Sequence, residues 1–186
     1  KLVKKAFSSG FHPQNRKSSL VDRLNDFKWN KKTFVPILKS IYRYIKPNEF
    51  YKLSKKEKGY IYFQEFIPNN NFDIRIIVIG DKAFGIKRLV RKNDFRASGS
   101  GSIINDSKEI DVNCVKLSFD INQKIKAQSL AIDYVFDQNN NPLIVEISYG
   151  FNPEGYYKVE GYWDSKLKWY NQKIEPYQWM IDNILK

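Results

Sequence analysis

The sequence predicts an α+β fold: a mainly antiparallel sheet flanked by helices and preceded by a basic, helical N-terminal segment. Three observations carry this. Two adjacent runs, "FDIRIIVIG" and "KAFGIKRLV", are rich in β-branched and aromatic residues and are joined by a Gly-Asp-Lys hairpin signal. A second hairpin is written into residues 131–148, "AIDYVFDQNNNPLIVEIS". Stretches before, between and after these have apolar residues at helical spacing.

Taken in order, "KLVKKAF" reads as the middle of an amphipathic helix that stops at "SSGF", where Gly10 can cap it. It opens on Lys1 rather than Met, so the chain reads as a piece of a longer protein. A polar loop, "HPQNRKSS", leads to a helical region over Ser19 to Asp26, and a further helix follows from Pro36 to Ile45, proline suiting a first turn. In that helix Phe34, Ile37, Leu38, Ile41, Tyr42 and Ile45 predict a packed stripe beside a solvated lysine face. A lysine-rich connector, "KPNEFYKLSKKEKG", ends at Gly59, the expected boundary between two lobes.

Beyond it the texture is β, beginning with "YIYFQEFI" and continuing through the first hairpin. "RASGSGSIIND" is a flexible loop by its glycine and serine content. A helix is predicted over Val112 to Gln128, with Val115, Phe119, Ile121 and Ile125 toward the core. After the second hairpin, "YGFNPEGYYKVEGYW" is a loop of glycines and aromatics, and a short helix closes the chain near Pro176 to Leu185.

Composition narrows the chemistry. With 186 residues and 42% hydrophobic side chains the chain can bury one sizeable core or two small lobes. Its apolar runs fall short of the roughly 20 residues that span a bilayer, and no signal segment opens it, so the expected compartment is the cytoplasm with no membrane partner. One Cys114 and one His12 exclude an internal disulfide and a structural zinc site. Residues 1 to 58 hold 16 of the 32 basic side chains and 4 of the 20 acidic ones, so the whole net charge of +12 lies there. Such asymmetry suits an anionic ligand or a nucleic acid, as well as a solvated face.

Two constellations bear on function. Asp133 lies in "AIDYVF" and Glu146 in "PLIVEIS"; pairing the runs around a four-residue loop, Gln138 to Asn141, sets the two carboxylates opposite each other, with Glu146 sharing a face with Ile144 and Ser148. Facing like charges repel, and a divalent cation such as Mg²⁺ would remove the conflict. Upstream, Arg75, Arg88 and Arg96 with Lys87 form a cationic series ending in a Gly/Ser loop, an arrangement fit for phosphate or carboxylate oxygens. Whether Lys87 or Arg88 shares a face with Arg75 is left open by the hairpin register.

Four blocks in this order, "YFQEFIPNNNFDIRIIVIGDKAFGIKR", "NDFRASGSG", "AIDYVF" and "PLIVEIS", together resemble an ATP-grasp domain of the type found in ribosomal-protein glutamate ligases and glutathione synthetases. The resemblance implies ATP and Mg²⁺ as cofactors. It implies that Gln64, Glu65, Phe66 and Ile67 line adenine, that Glu65 or Asp73 meets the ribose, and that Lys87 and Ser98 lie along the nucleotide. Arg75, Arg88 and Arg96 would hold phosphates or the acyl phosphate, and Asp133, Glu146 and Ser148 would hold the metal.

Residues 1–58 would then be the remainder of the first lobe with an insertion, and 59–186 the C-terminal lobe. Ser148 and Ser98 stand where relatives carry asparagine, and the strand lysine and Gly-rich flap of the family's first lobe are not in this chain. The implied reaction is an ATP-dependent, Mg-dependent ligation of a carboxylate to an amine or other nucleophile through an acyl phosphate, on a small-molecule, peptide or sugar carboxylate. Two alternatives are a nucleic-acid-binding module working through residues 1–58 and a catalytically degenerate ATP-grasp binding protein.

Overall fold

The computed structural model describes residues 1–12, 20, 21, 24, 31–46, 49–91, 95–97 and 102–185. These fall into two compact units, Lys1–Glu65 and Phe66–Lys186.

In the first unit, helix α1 spans Leu2–Ser8. It stops where Gly10 turns into the left-handed region (φ 69°) and sends its amide back to the Lys5 carbonyl at 2.8 Å, the capping role its sequence suggests. Most of the region over Ser19 to Asp26 lies outside the described residues; Leu20, Val21 and Leu24 are helical. Helix α2 runs over Lys31–Ile45 with Pro36 inside it, one turn earlier than the proline suggests. Its stripe is packed only at Ile37; Phe34, Leu38, Ile41, Tyr42 and Ile45 are exposed. Part of the lysine-rich connector forms a further short helix, α3, over Glu49–Leu53. The run "YIYFQEFI" is not a strand. Among the described residues no partner strand pairs with it, and Tyr60, Tyr62, Phe63 and Phe66 are exposed.

The second unit is built on a seven-stranded antiparallel sheet in the order β5-β4-β1-β2-β6-β7, with β3 also paired to β2. β1 spans Phe72–Ile79, β2 Lys82–Leu89, β3 Ile103–Ile104, β4 Ser129–Phe136, β5 Pro142–Ser148, β6 Tyr162–Asp164 and β7 Trp169–Tyr170. β1 is central, and its second half, residues 76–79, is an apolar run buried on both faces. Gly80 (φ 58°) opens the two-residue turn between β1 and β2; a side chain there would collide with Asn183.

Side chains alternate, so the sheet has two differently filled faces. Ile74, Ile76, Val78, Leu130, Ile132 and Tyr134 face helix α4, Val112–Ile125, and pack on its Cys114 and Val115. Asp111 caps that helix by accepting from the Asn113 amide at 2.8 Å, and Lys126 ends it in a left-handed conformation (φ 56°), short of Gln128. The buried row is Cys114, Val115, Ser118 and Asn122, while Ile125 is exposed. Small residues let the helix lie close to the sheet, and Ser118 meets the buried Tyr134 hydroxyl at 2.7 Å. On the opposite face Ile77, Ile79, Phe84, Ile86 and Ala131 pack with Tyr156, Val159, Ile174 and Trp179, the last from helix α5, Pro176–Leu185.

No helix among the described residues is long and apolar enough to cross a membrane.

Candidate active site

The second face is apolar only near the β1–β2 turn. At the other end the same alternation brings Asp73 and Arg75 of β1, Arg88 of β2 and Asp133 of β4 to the surface of the sheet. The register decides this: Asp73 is paired with Arg88, and Arg75 with both Ile86 and Asp133. Arg88 therefore shares a face with Arg75, and Lys87 points the other way, where its ammonium meets Glu109 at 2.8 Å and lies over the Phe72 ring.

The four charged side chains form one network. Arg75 donates to Asp133 through Nε (2.5 Å) and Nη2 (2.6 Å). Arg88 donates in the same forked way to Asp73 (2.7 and 2.6 Å), and its Nη2 reaches Asp133 as well, at 2.8 Å. Arg88 is only 6% exposed and Asp133 4%. An unpaired charge at such positions is strongly disfavoured, so each ion here depends on the others.

The protonation preferences follow from that. Hydrogen bonding to Asp133, ahead of the opposing effect of burial, holds the Arg75 guanidinium above its ordinary value. For Arg88 burial acts downward, but Asp73 and Asp133 outweigh it and the net shift is upward. Asp73 is raised, chiefly by burial and further by the Asp133 charge, against the pull of Arg88 and Arg75.

Glu146 stands across the strand pair from Asp133, as the spacing predicted, but the route differs. Five residues, 137–141, link the strands, and a bulge at Val145 absorbs the extra residue, so that Phe136 faces Pro142 while Asp133 still faces Glu146. The bulge also breaks the expected alternation. Ile144 is paired with Tyr134, which points to the other face, so Glu146 does not share a face with Ile144. Asp137 locks the link by accepting from the amides of Asn139 and Asn141, both at 2.8 Å.

A carboxylate has about four lone-pair sites, and Asp133 uses three on the two arginines. One on Oδ1 is left, and Glu146 is exposed with no ion pair among the described residues. Two carboxylates suit an ion that keeps several waters and takes phosphate oxygens. No three or more His, Cys, Asp or Glu side chains gather as a fuller metal shell among the described residues.

The remaining residues named from the sequence are spread more widely. Ser148 turns its hydroxyl to the Gly150 carbonyl at 3.0 Å. Gln64, Glu65 and Phe66 are exposed and Ile67 half-buried; Phe66 meets Phe95 edge-on, with ring centroids 5.3 Å apart. Arg96 is exposed after β2, its carbonyl accepting from the Arg91 amide at 3.3 Å, and Ser98 lies outside the described residues. One participant has no sequence signature. Tyr156, from the glycine- and aromatic-rich loop, is buried against Phe84 and Phe151, and burial pushes its phenol above the ordinary value while the Arg75 and Arg88 charges pull it down. Nothing in its local pattern separates it from the other tyrosines of that loop.

Compared with known families, residues 46–161 match the RimK-like ATP-grasp domain. The chain belongs to this ATP-grasp family. All four blocks that carried the resemblance lie inside the matched range, and the antiparallel sheet with flanking helices agrees with the expected α+β ATP-grasp fold. Over 109 residues the chain is 32% identical to a curated protein named Alpha-aminoadipate--LysW ligase LysX from Saccharolobus solfataricus. That stretch covers 58% of the ATP-grasp chain and 38% of the relative, so the chain spans well under half of the relative's length.

Proposed function

We propose that this chain is the nucleotide-binding part of an ATP-dependent, Mg-dependent ligase that joins a carboxylate to an amine through an acyl phosphate. The observation that carries the reading is the placement of Asp133 opposite Glu146 at the charged end of the sheet, with two arginines already fixed on Asp133. Family membership and the similarity to a ligase support it.

In this reading Asp133 and Glu146 would hold Mg²⁺, with Ser148 beside them. Bound magnesium supplies Lewis-acid polarisation of phosphate oxygens. Gln64 to Ile67 present backbone groups to adenine, Glu65 or Asp73 meets the ribose, and Lys87 and Ser98 lie along the nucleotide. Arg88 has committed Nε and Nη2 to aspartates, which leaves Nη1 to donate to a phosphoryl oxygen, with Arg96 adding positive charge. The substrate carboxylate attacks the γ-phosphorus and ADP leaves; the amine then opens the acyl phosphate and releases phosphate. Positioning and charge balance suffice for such transfer, so no side-chain nucleophile is required. The substrates are a small-molecule, peptide or sugar carboxylate and an amine. We also read residues 1–58 as the rest of the first lobe plus an insertion, 59–186 as the second lobe, and the compartment as the cytoplasm, where a free buried thiol such as Cys114 is ordinary.

A second reading rests on the charge of residues 1–58 and the exposed apolar and basic side chains of α2, which would suit a polynucleotide. Calorimetric titration of the full chain separates the two. A non-hydrolysable ATP analogue is expected to bind more tightly with Mg²⁺ than without it. Salt-sensitive polynucleotide binding together with no nucleotide binding would overturn the ligase reading.

A further inference from the structure

We propose that Asn70 is a positioning residue for the nucleotide: it seats the end of the adenine-lining segment, Ile67 with the following Pro68, on the end of β4, the strand that carries Asp133. The inference rests on the reading of Gln64 to Ile67 as that segment, and it assigns a residue that neither the family match nor the sequence pattern singles out.

The segment has strand composition but no partner strand among the described residues, so its placement depends on side-chain ties. Asn70 supplies one. Asn69 takes the left-handed conformation (φ 66°) shortly before β1 begins at Phe72, and the Asn70 side chain lies against β4. The ladder between β1 and β4 ends at Ile74 and Tyr134. Further along β4 the backbone of Phe136 is met by the Asn70 amide instead: its N–H donates to Oδ1 at 2.8 Å, and its carbonyl accepts from Nδ2 at 3.0 Å. A primary amide holds an acceptor and a donor side by side, as a backbone does, so this side chain extends the sheet by one rung. The partners also settle which way the amide points, since the Phe136 N–H can only donate and a carbonyl only accept.

The same Nδ2 group reaches the linker, 3.2 Å from the Pro68 carbonyl and 3.4 Å from that of Ile67. One half-buried side chain thus joins Ile67 and Pro68 to a strand 66 residues away in sequence. The Phe72 and Phe136 rings close the junction beside it, with centroids 5.6 Å apart. Because Phe136 and Asp133 share β4, the tie sets the spacing between the segment that meets the base and the carboxylate that meets metal on the phosphates. A loosened tie should therefore weaken recognition of the base and leave the phosphate end as it is. Simple stabilisation of the turn would not tell base from phosphate.

The test compares the full wild-type chain with Asn70→Asp and Asn70→Ala at neutral pH. The ionised Asp keeps an acceptor for the Phe136 amide but donates to no carbonyl, whereas Ala removes both halves of the tie. Three quantities are read: hydrogen exchange of the Phe136 amide without ligand, thermal midpoint, and calorimetric affinity with Mg²⁺ for two probes. The probes are a non-hydrolysable ATP analogue and inorganic triphosphate, which has phosphates and no base. Asn70→Ala is expected to speed exchange of the Phe136 amide about tenfold, while Asn70→Asp leaves it slow. Both variants are expected to bind the ATP analogue about tenfold more weakly, and Asn70→Ala to bind triphosphate as wild type does, whatever the change in midpoint. The proposal is overturned if wild type binds the analogue and either variant binds it equally well, if triphosphate affinity falls as far as analogue affinity in both variants, or if Phe136 exchange in Asn70→Ala matches wild type. Should the wild-type chain bind neither probe, the ligase reading falls and the positioning role falls with it.

Discussion

The two faces of β1, β2 and β4 are made by the same strands and held by opposite means. Toward α4, Ile74, Ile76, Val78, Leu130 and Ile132 are buried by apolar contact, and the one buried phenol there, Tyr134, is satisfied by Ser118. On the other side Arg88 and Asp133 are nearly as buried and Asp73 and Arg75 partly so, and mutual ion pairing makes that burial tolerable. The first face is a packing problem and tolerates losses of volume in proportion to their size. The second is an all-or-none network, in which removing one member strands the rest.

The largest effect that would break this contrast is at Arg88. Its replacement by Met leaves the partly buried Asp73 without its ion-pair partner and the buried Asp133 with Arg75 alone, and should cost about 3–5 kcal/mol in urea unfolding; a loss under about 1 kcal/mol would mean the network is dispensable. On the α4 face, Ile132→Ala should cost about 3 kcal/mol through the cavity it leaves, while nucleotide affinity measured on the folded fraction stays at the wild-type value.

The pH dependence sharpens the comparison. Asp73 is raised above its ordinary 3.8 in the folded chain, so the native state binds more protons than the unfolded one just above that value. Its contribution to stability is present below the ordinary carboxylate range and is lost as pH rises through the folded value. The stability of Asp73→Asn relative to wild type should therefore improve as pH rises across that window, as denaturant midpoints would report.

Asp137 has the opposite sign and a smaller effect. Hydrogen bonds from Asn141 and Asn139 lower it, so the melting-temperature deficit of Asp137→Ala should be full above the ordinary carboxylate range and vanish as pH falls through the folded value.

Much of this was legible in the sequence. Both hairpins, the helix before β4 and the facing of Asp133 and Glu146 follow from short-range spacing, which alternation converts directly into geometry. What was not legible depends on long-range register. The sequence suggests that two facing carboxylates need a divalent cation and that clustered arginines need an anion. In the fold Arg75 and Asp133, 58 residues apart, answer each other's need.

Other differences have local causes. Val145 bulges because the β4–β5 link is one residue longer than expected, and "YIYFQEFI" has strand composition without a strand partner among the described residues. Small residues on α4, rather than its large apolar ones, make the closest approach to the sheet.

The central claim is that the arginines leave part of Asp133 for a metal it shares with Glu146. Glu146 is exposed and outside the ion-pair network, so Glu146→Gln should fold as wild type does. Calorimetry with a non-hydrolysable ATP analogue, with and without Mg²⁺, tests the claim directly. The account predicts that the Mg²⁺-dependent gain in affinity seen for wild type is lost in Glu146→Gln while metal-free binding is kept; an undiminished gain in the variant would contradict it.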